Sequence, residues 1–230
     1  MGEVQLKNFK ELEYSGREAI NTLCANLSFV GGDIRKIIVT SYMPSEGKSF
    51  VSMNLMRAFA DIGRRVLMID ADLRGSVLRY EYAIESTDML LGLTRYLAGK
   101  CSIDSIIQKT NIPNADIILA GRTVTNSLPL INSDRMKALF DYTDGRYDIV
   151  IVDAPPIGVI IDAAKIAAYC DGTLFVVESG AETRQNLKDG IAQMERAGST
   201  ILGVVLNKYK TNMDKDYYYY DNPYRKKKTK

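Results

Sequence analysis

The sequence predicts an α/β protein: a mostly parallel sheet with helices on both faces and a flexible, Tyr-rich C-terminal tail. Three observations carry that expectation. Short runs of successive Ile, Val and Leu recur along the chain, as strands buried on both faces require. They alternate with amphipathic stretches of helical spacing, the order that a strand–helix–strand build produces. After Met213 no aliphatic residue follows, so the last segment cannot bury enough apolar area to offset the entropy of ordering it.

In chain order, the expected strands are residues 36–41, 65–70, 116–119, 148–153, 173–177 and 201–207. Helical spacing runs over 48–62, 133–142, 161–169 and 182–197, the second and last opening on plausible caps, and a leading helix near 15–29 precedes the first strand. No internal repeat is present. One domain over 1–209 and a tail over 210–230 are expected. The adjacent tyrosines of the tail could form an edge strand, but the Asp, Asn, Pro and Lys around them favour a solvated segment.

Composition narrows the chemistry. Hydrophobic residues at 46% and charged residues at 25% are ordinary for a globular chain. A net charge of +2 gives no global attraction to nucleic acid, which is not expected as a partner. His is absent, which removes the commonest general base and metal ligand and leaves carboxylates, Lys, Arg and hydroxyls to do any chemistry. Cys24, Cys101 and Cys170 are odd in number and widely spaced, as reduced thiols of a cytoplasmic protein are. The first residues lack a signal-peptide core, Leu6 stands where a myristoylation signal needs Ser or Thr, and no apolar run nears the roughly 20 residues of a membrane span. Any membrane contact is therefore expected to be borrowed from a partner.

The strongest local signal is Pro44-Ser45-Glu46-Gly47-Lys48-Ser49, directly after an expected strand and directly before a helix. There, backbone N–H groups at a helix N-terminus can face phosphates, Lys48 can bridge the β- and γ-phosphates, and Ser49 can ligate Mg²⁺. The first Gly of the usual G-x-x-x-x-G-K-[ST] pattern is Tyr42 here, and Gly-Lys-Ser alone is weak; its strand–loop–helix context strengthens it. Asp70 and Asp72 end the second strand and Asp153 ends the fourth, at the side of the sheet where open α/β folds place ligands. A lone strand-end Asp is more often a helix cap. Three beside a phosphate loop are the set that Mg²⁺-dependent nucleotide hydrolysis or phosphoryl transfer uses.

The order TSYMPSEGKS, VLMIDADLR, IVIVDAPP and a tyrosine tail resembles the bacterial tyrosine kinases of capsule and exopolysaccharide loci. The resemblance spans nearly the whole chain, including Gly92-Leu93, Tyr96-Leu97 and Asp171-Gly172. It implies a P-loop NTPase fold whose three segments are called Walker A, A′ and B. It implies ATP and Mg²⁺ as cofactors, a nucleotide loop of Pro44, Ser45, Glu46, Gly47, Lys48, Ser49 and Phe50, and Asn207 near the adenine. Ser49, Asp72 and Asp153 would arrange the metal, and Asp70 would orient or deprotonate the incoming tyrosine, a role exchangeable with Asp72. The phosphoacceptors would be Tyr217, Tyr218, Tyr219, Tyr220 and Tyr224. Members of the separate-chain type imply a cytoplasmic protein recruited to the inner face of the membrane by a membrane-anchored activator, together with a homo-oligomer, protein tyrosine substrates and a cognate phosphatase. Two departures stand out. Ser45 replaces a frequent Gly, and Glu18 is followed by Asn21 and Cys24 where many members carry two Arg of a ring interface.

Two other functions fit parts of the sequence. A partitioning or positioning ATPase would share the loop, but its signature Lys would fall at Met43, and it gives the tyrosine tail no role. A non-enzymatic adaptor with a degenerate loop would leave Lys48, Ser49, Asp70, Asp72 and Asp153 unexplained. The basic run 225–228 is a solvated end that could hold the tail near acidic lipid or pair with phosphates once they form.

Overall fold

The computed structural model describes residues 2–30, 34–86 and 90–209. The chain opens with two short strands, β1 (Gly2–Glu3) and β2 (Gln5–Leu6), and helix α1 (Tyr14–Phe29). Then come β3 (Lys36–Ser41), α2 (Lys48–Asp61), β4 (Val66–Asp70), α3 (Leu78–Glu81), β5 (Ile84–Glu85), α4 (Leu93–Leu97), β6 (Gln108–Lys109) and β7 (Ala115–Ile118). The rest is α5 (Leu128–Ile131), α6 (Asp134–Thr143), β8 (Ile149–Asp153), α7 (Asp162–Ala167), β9 (Gly172–Glu178), α8 (Arg184–Arg196) and β10 (Ile201–Asn207).

An eight-stranded sheet runs in the order β1-β6-β7-β4-β8-β3-β9-β10, and β2 and β5 form a separate antiparallel pair. Every neighbouring pair of the large sheet is parallel except β6 and β7. Alternate residues of the central strands feed opposite layers, as the two-residue period of a strand demands. Ile38, Leu67 and Ile69 pack into the core under α4 to α8, whereas Ile37, Val39, Val66 and Met68 pack into the core under α1 and α2. All six expected strands are therefore present with helices on both faces, as the continuous apolar runs require.

The differences lie at short elements and caps. Two-residue strands and helices of four or five residues are too short to show a period, so β1, β2, β5, β6, α3, α4 and α5 leave no signal in the sequence. Of the two anticipated helix starts, Thr183 caps α8 by accepting from the Asn186 N–H at 3.1 Å. Ser133 makes no side-chain cap for α6, because its hydroxyl donates back to the Leu130 carbonyl at 2.6 Å. None of the described helices is long and apolar enough to cross a membrane. The anticipated tail over 210–230, with its tyrosines, lies outside the described residues.

Asp148 ties the entrances of β4 and β8 together. It accepts the Arg65 backbone N–H at 2.8 Å and the Arg65 guanidinium at 2.8 Å. The guanidinium first, and the backbone N–H next, hold its carboxyl down at about 2. A depressed carboxyl contributes stability above the ordinary carboxylate range and loses it as pH falls toward its folded pKa. Asp148→Asn is expected to lower the melting temperature at pH 7 by about 2–4 °C, the shift produced by about 1 kcal/mol in a chain of this size. In paired thermal melts that gap should close between pH 4 and 2.

Candidate active site

Parallel strands put their C-terminal ends on one side of the sheet, and the site is built there. After β3 the chain turns through residues 42–47 and enters α2 at Lys48, with Ser45 at φ 66° and Gly47 at φ 92°. The left-handed backbone at Gly47 is a position where glycine is the unstrained choice, and a Cβ there would also strike the Asn207 side-chain amide. No side chain caps α2, so its first N–H groups remain available to an anion.

The loop is braced from behind. The buried Glu46 carboxylate accepts the Met43 N–H at 2.7 Å and the Glu178 N–H at 3.2 Å. Asn207, at the end of β10, donates to the Glu46 carbonyl at 2.9 Å, and Lys208 Nζ donates to the Ser45 carbonyl at 2.7 Å. Tyr42, at the position of the missing Gly, lays its ring against Gly158 and Gly190, where added Cβ atoms would meet it at 3.0 Å.

The acids face this loop. The parallel register of β4 and β8 sets Asp70 opposite Asp153, and Asp72 follows two residues on. All three are buried. Lys48 Nζ lies 3.5 Å from Asp72 Oδ2, and Asp72 Oδ1 accepts the Gly75 N–H at 2.9 Å. Asp153 accepts hydrogen bonds from the Ser49 hydroxyl and, at 3.4 Å, from that of Ser52. Asp70 accepts from the Ser76 hydroxyl and from the Ala120 and Asp72 N–H groups, both at 3.3 Å. Burial pushes the Asp70 carboxyl up, and Asp153 beside it pushes further. Burial raises Asp153 as well, against the pull of Lys48. Behind Asp72, Arg74 Nε donates to Ser127 Oγ at 2.9 Å and lies 3.5 Å from the buried Asp162, to which Ser127 is also bonded. This bracing fixes the loop that carries Asp72. On the far side of Asp70 and Asp72 from the phosphate loop, a cleft of about 1010 Å³ opens between α3, α4 and the end of β7.

Lys48, Ser49, Asp70, Asp72 and Asp153 thus converge. Asn207 holds the loop in place, Glu46 turns its side chain inward, and Phe50 stands partly exposed (42%) in the first turn of α2. Sequence reasoning missed Ser52, Ser76, Tyr42, Glu178 and Lys208. Ser52 alone had a readable signal, standing one helical turn after Ser49 on the same face of α2. Among the described residues no three acidic or thiol side chains form a metal cage by themselves, so any divalent ion held here would need ligands from outside the protein. Mg²⁺ takes one or two carboxylates and completes its shell with phosphate and water.

A strand, phosphate loop and helix facing strand-end carboxylates define a P-loop nucleotide-binding domain, and residues 35–201 match the family model described as AAA domain. The chain is 35% identical over 208 residues to the tyrosine-protein kinase CpsD of Streptococcus pneumoniae, covering 90% of this chain and 91% of that relative. It superposes on the chimerical protein CapA2B2 with a TM-score of 0.81 at 27% identity, covering 91% of this chain and 94% of that one. The kinase domain of the Escherichia coli tyrosine kinase ETK gives a TM-score of 0.78 at 31% identity, covering 86% and 78%. The chain belongs to the bacterial tyrosine-protein kinases built on this AAA-type P-loop domain.

A raised carboxyl means that the charged form opposes folding, so stability is regained as pH falls through the folded pKa. In metal-free buffer at pH 8, Asp153→Asn is expected to raise the melting temperature by a few degrees, the gain shrinking on acidification through pH 6. With Mg²⁺ and ADP the wild-type protein should overtake it, because only the carboxylate serves the ion; thermal melts with and without ligand check both halves.

Proposed function

We propose that this chain is an ATP-dependent protein-tyrosine kinase that phosphorylates the C-terminal tyrosines of other copies of itself. The observation that carries this reading is the convergence of Lys48, Asp70, Asp72 and Asp153 at the N-terminus of α2. The loop amides of residues 44–49 and Lys48 would bind the β- and γ-phosphates. Ser49, Asp72 and Asp153 would hold Mg²⁺, which supplies charge neutralisation between phosphate oxygens. Lys48 would exchange its bond to Asp72 for the more highly charged phosphates. Asp70, whose neutral and charged forms both lie within reach near neutrality, would accept the phenolic proton. The tyrosine oxygen then bonds to the γ-phosphorus as the ADP oxygen departs. Asn207, at the rim of the loop, would lie beside the adenine.

A partitioning-type ATPase fits less well. Its extra lysine would come from Met43, an apolar side chain whose backbone N–H is taken by Glu46.

Transfer between molecules follows from where the tail begins. β10 ends against the phosphate loop and is separated by β9, β3 and β8 from β4, which carries Asp70. Four strand spacings are roughly 19 Å, and the ten residues to Tyr217 reach at most about 35 Å. The distance is short enough, but the path would cross over the nucleotide loop, whereas a neighbour's tail can enter from the open side. The α1 contacts expected to support a ring are altered: Asn21 bonds Glu18 at 3.3 Å and Cys24 is buried in the core. Assembly would therefore rest on tail-to-site contacts, which several adjacent phosphotyrosines would loosen by repulsion. In this reading the protein is cytoplasmic, is drawn to the inner face of the membrane by a membrane-anchored activator, controls capsule or exopolysaccharide synthesis and is reset by a phosphatase.

Lys48→Met is expected to abolish labelling of tyrosine from γ-labelled ATP while leaving the melting curve intact. Mixed with an active chain whose tail tyrosines are all Phe, the Lys48→Met protein should become labelled, with the activator present. Label absent from that mixture yet present on the wild-type protein alone would make transfer intramolecular.

A further inference from the structure

The cleft beside Asp70 and Asp72 has a charge arrangement that the phosphoryl-transfer chemistry does not account for. Its floor carries the two catalytic carboxylates and its wall is apolar at Leu91 and Val124. Arg79, Arg95, Lys100 and Arg122 also line it. All four are exposed, and none makes an ion pair or a side-chain hydrogen bond among the described residues. Among the described residues the other acid that lines it, Glu85, is already bonded to Lys7. A solvent-facing rim with four unpaired cations around an acidic floor is poorly suited to a neutral acceptor. It suits a chain that brings a hydroxyl to the floor and negative charge to the rim.

The tail has that pattern. Immediately around Tyr217 to Tyr220, Asp214, Asp216 and Asp221 outnumber Lys215, whereas the basic run 225–228 follows Tyr224 and lies beyond the segment that the rim would read. We infer that Arg79, Arg95, Lys100 and Arg122 form an acid-reading rim that selects tyrosines flanked by negative charge, the occupant being the 212–224 segment of a second copy. This deepens the kinase reading and rests on it. The apolar wall takes the ring, Asp70 receives the hydroxyl and the rim takes the flanking carboxylates. Each phosphate transferred adds about −1.5 to −2 charges to the same short segment. A first phosphate therefore strengthens binding to the rim and primes the neighbouring tyrosines, and the loosening sets in only once several adjacent phosphates repel one another and the carboxylates of the floor.

The test uses the full-length chain with its tail tyrosines changed to Phe, and synthetic peptides of residues 212–224. Four forms are compared: the native peptide, one with the three Asp changed to Asn, one with them changed to Lys, and one with phosphate on Tyr218. Relative to the native peptide, KM should rise several-fold for Asn, rise further for Lys and fall for the phosphorylated form, with kcat little changed. Arg95→Glu with Arg122→Glu should raise KM for the native peptide about tenfold or more and reverse the order of the native and Lys peptides. Arg95→Gln with Arg122→Gln, a milder pair, should flatten the differences without reversing them, and it guards against misfolding of the Glu variant. A KM indifferent to peptide charge, or unmoved by both variant pairs, overturns the rim. Transfer to none of the peptides by the parent enzyme would instead count against the kinase reading itself.

Discussion

The parallel register between β4 and β8 forces two carboxylates, Asp70 and Asp153, side by side in the interior. Asp72 joins them, and among the described residues Lys48 is the cation paired with the group. Burying an unpaired charge costs several kcal/mol even after the protein relaxes. The fold meets this in two ways. It directs hydroxyls and backbone N–H groups at the acids from Ser49, Ser52, Ser76, Gly75 and Ala120. It also leaves the remaining negative charge beside the uncapped N-terminus of α2, where, on the proposed reading, a metal–phosphate complex would bring both a further cation and an anion for the helix. That ligand would complete an electrostatic arrangement that the chain alone leaves unbalanced.

That balance depends on the shape of the phosphate loop, which is fixed less by its own residues than by what stands behind it. The positive φ of Gly47 aims the turn, but the bonds from Asn207 and Lys208, and from Glu46 to Glu178, hold it. These partners stand at the ends of β9 and β10, with Lys208 just past β10. Tyr42 shows how a missing glycine is accommodated. Its ring lies in a space that Gly158 and Gly190 leave open.

The parts legible in the sequence were those with a repeated or directional signal. Six strands announced themselves by apolar runs, five in the interior and β10 as a half-exposed edge strand with Val204 and Leu206 turned to solvent, and Lys48, Ser49, Asp70, Asp72 and Asp153 by standing at strand ends beside a Gly-Lys-Ser turn. Long-range partnerships left no comparable trace. Nothing local distinguishes Ser76 as the hydroxyl on Asp70, or Glu178 as the backbone donor to Glu46. The inward turn of Glu46 was hidden for the same reason, since its partners include a residue 132 positions away. The hydroxyl of Ser133 illustrates a local choice, since it donates to the Leu130 carbonyl instead of accepting a first-turn N–H of α6. The cationic residues around the cleft are scattered from Arg79 to Arg122, and only the fold gathers them.

The two openings of the site have opposite characters. From the α2 side, uncapped amides and Lys48 favour a polyanion; from the α3 and α4 side, an apolar wall and exposed cations surround Asp70 and Asp72. On the proposed reading, a nucleotide would approach these carboxylates from the α2 side and a peptide acceptor from the α3 and α4 side. The tail leaves the sheet at β10, beside the nucleotide opening and four strands from β4. On the proposed reading, a tyrosine beyond residue 209 would react beside β4, four strands from where the described chain ends, and that separation would favour transfer to a neighbouring copy over transfer within one chain.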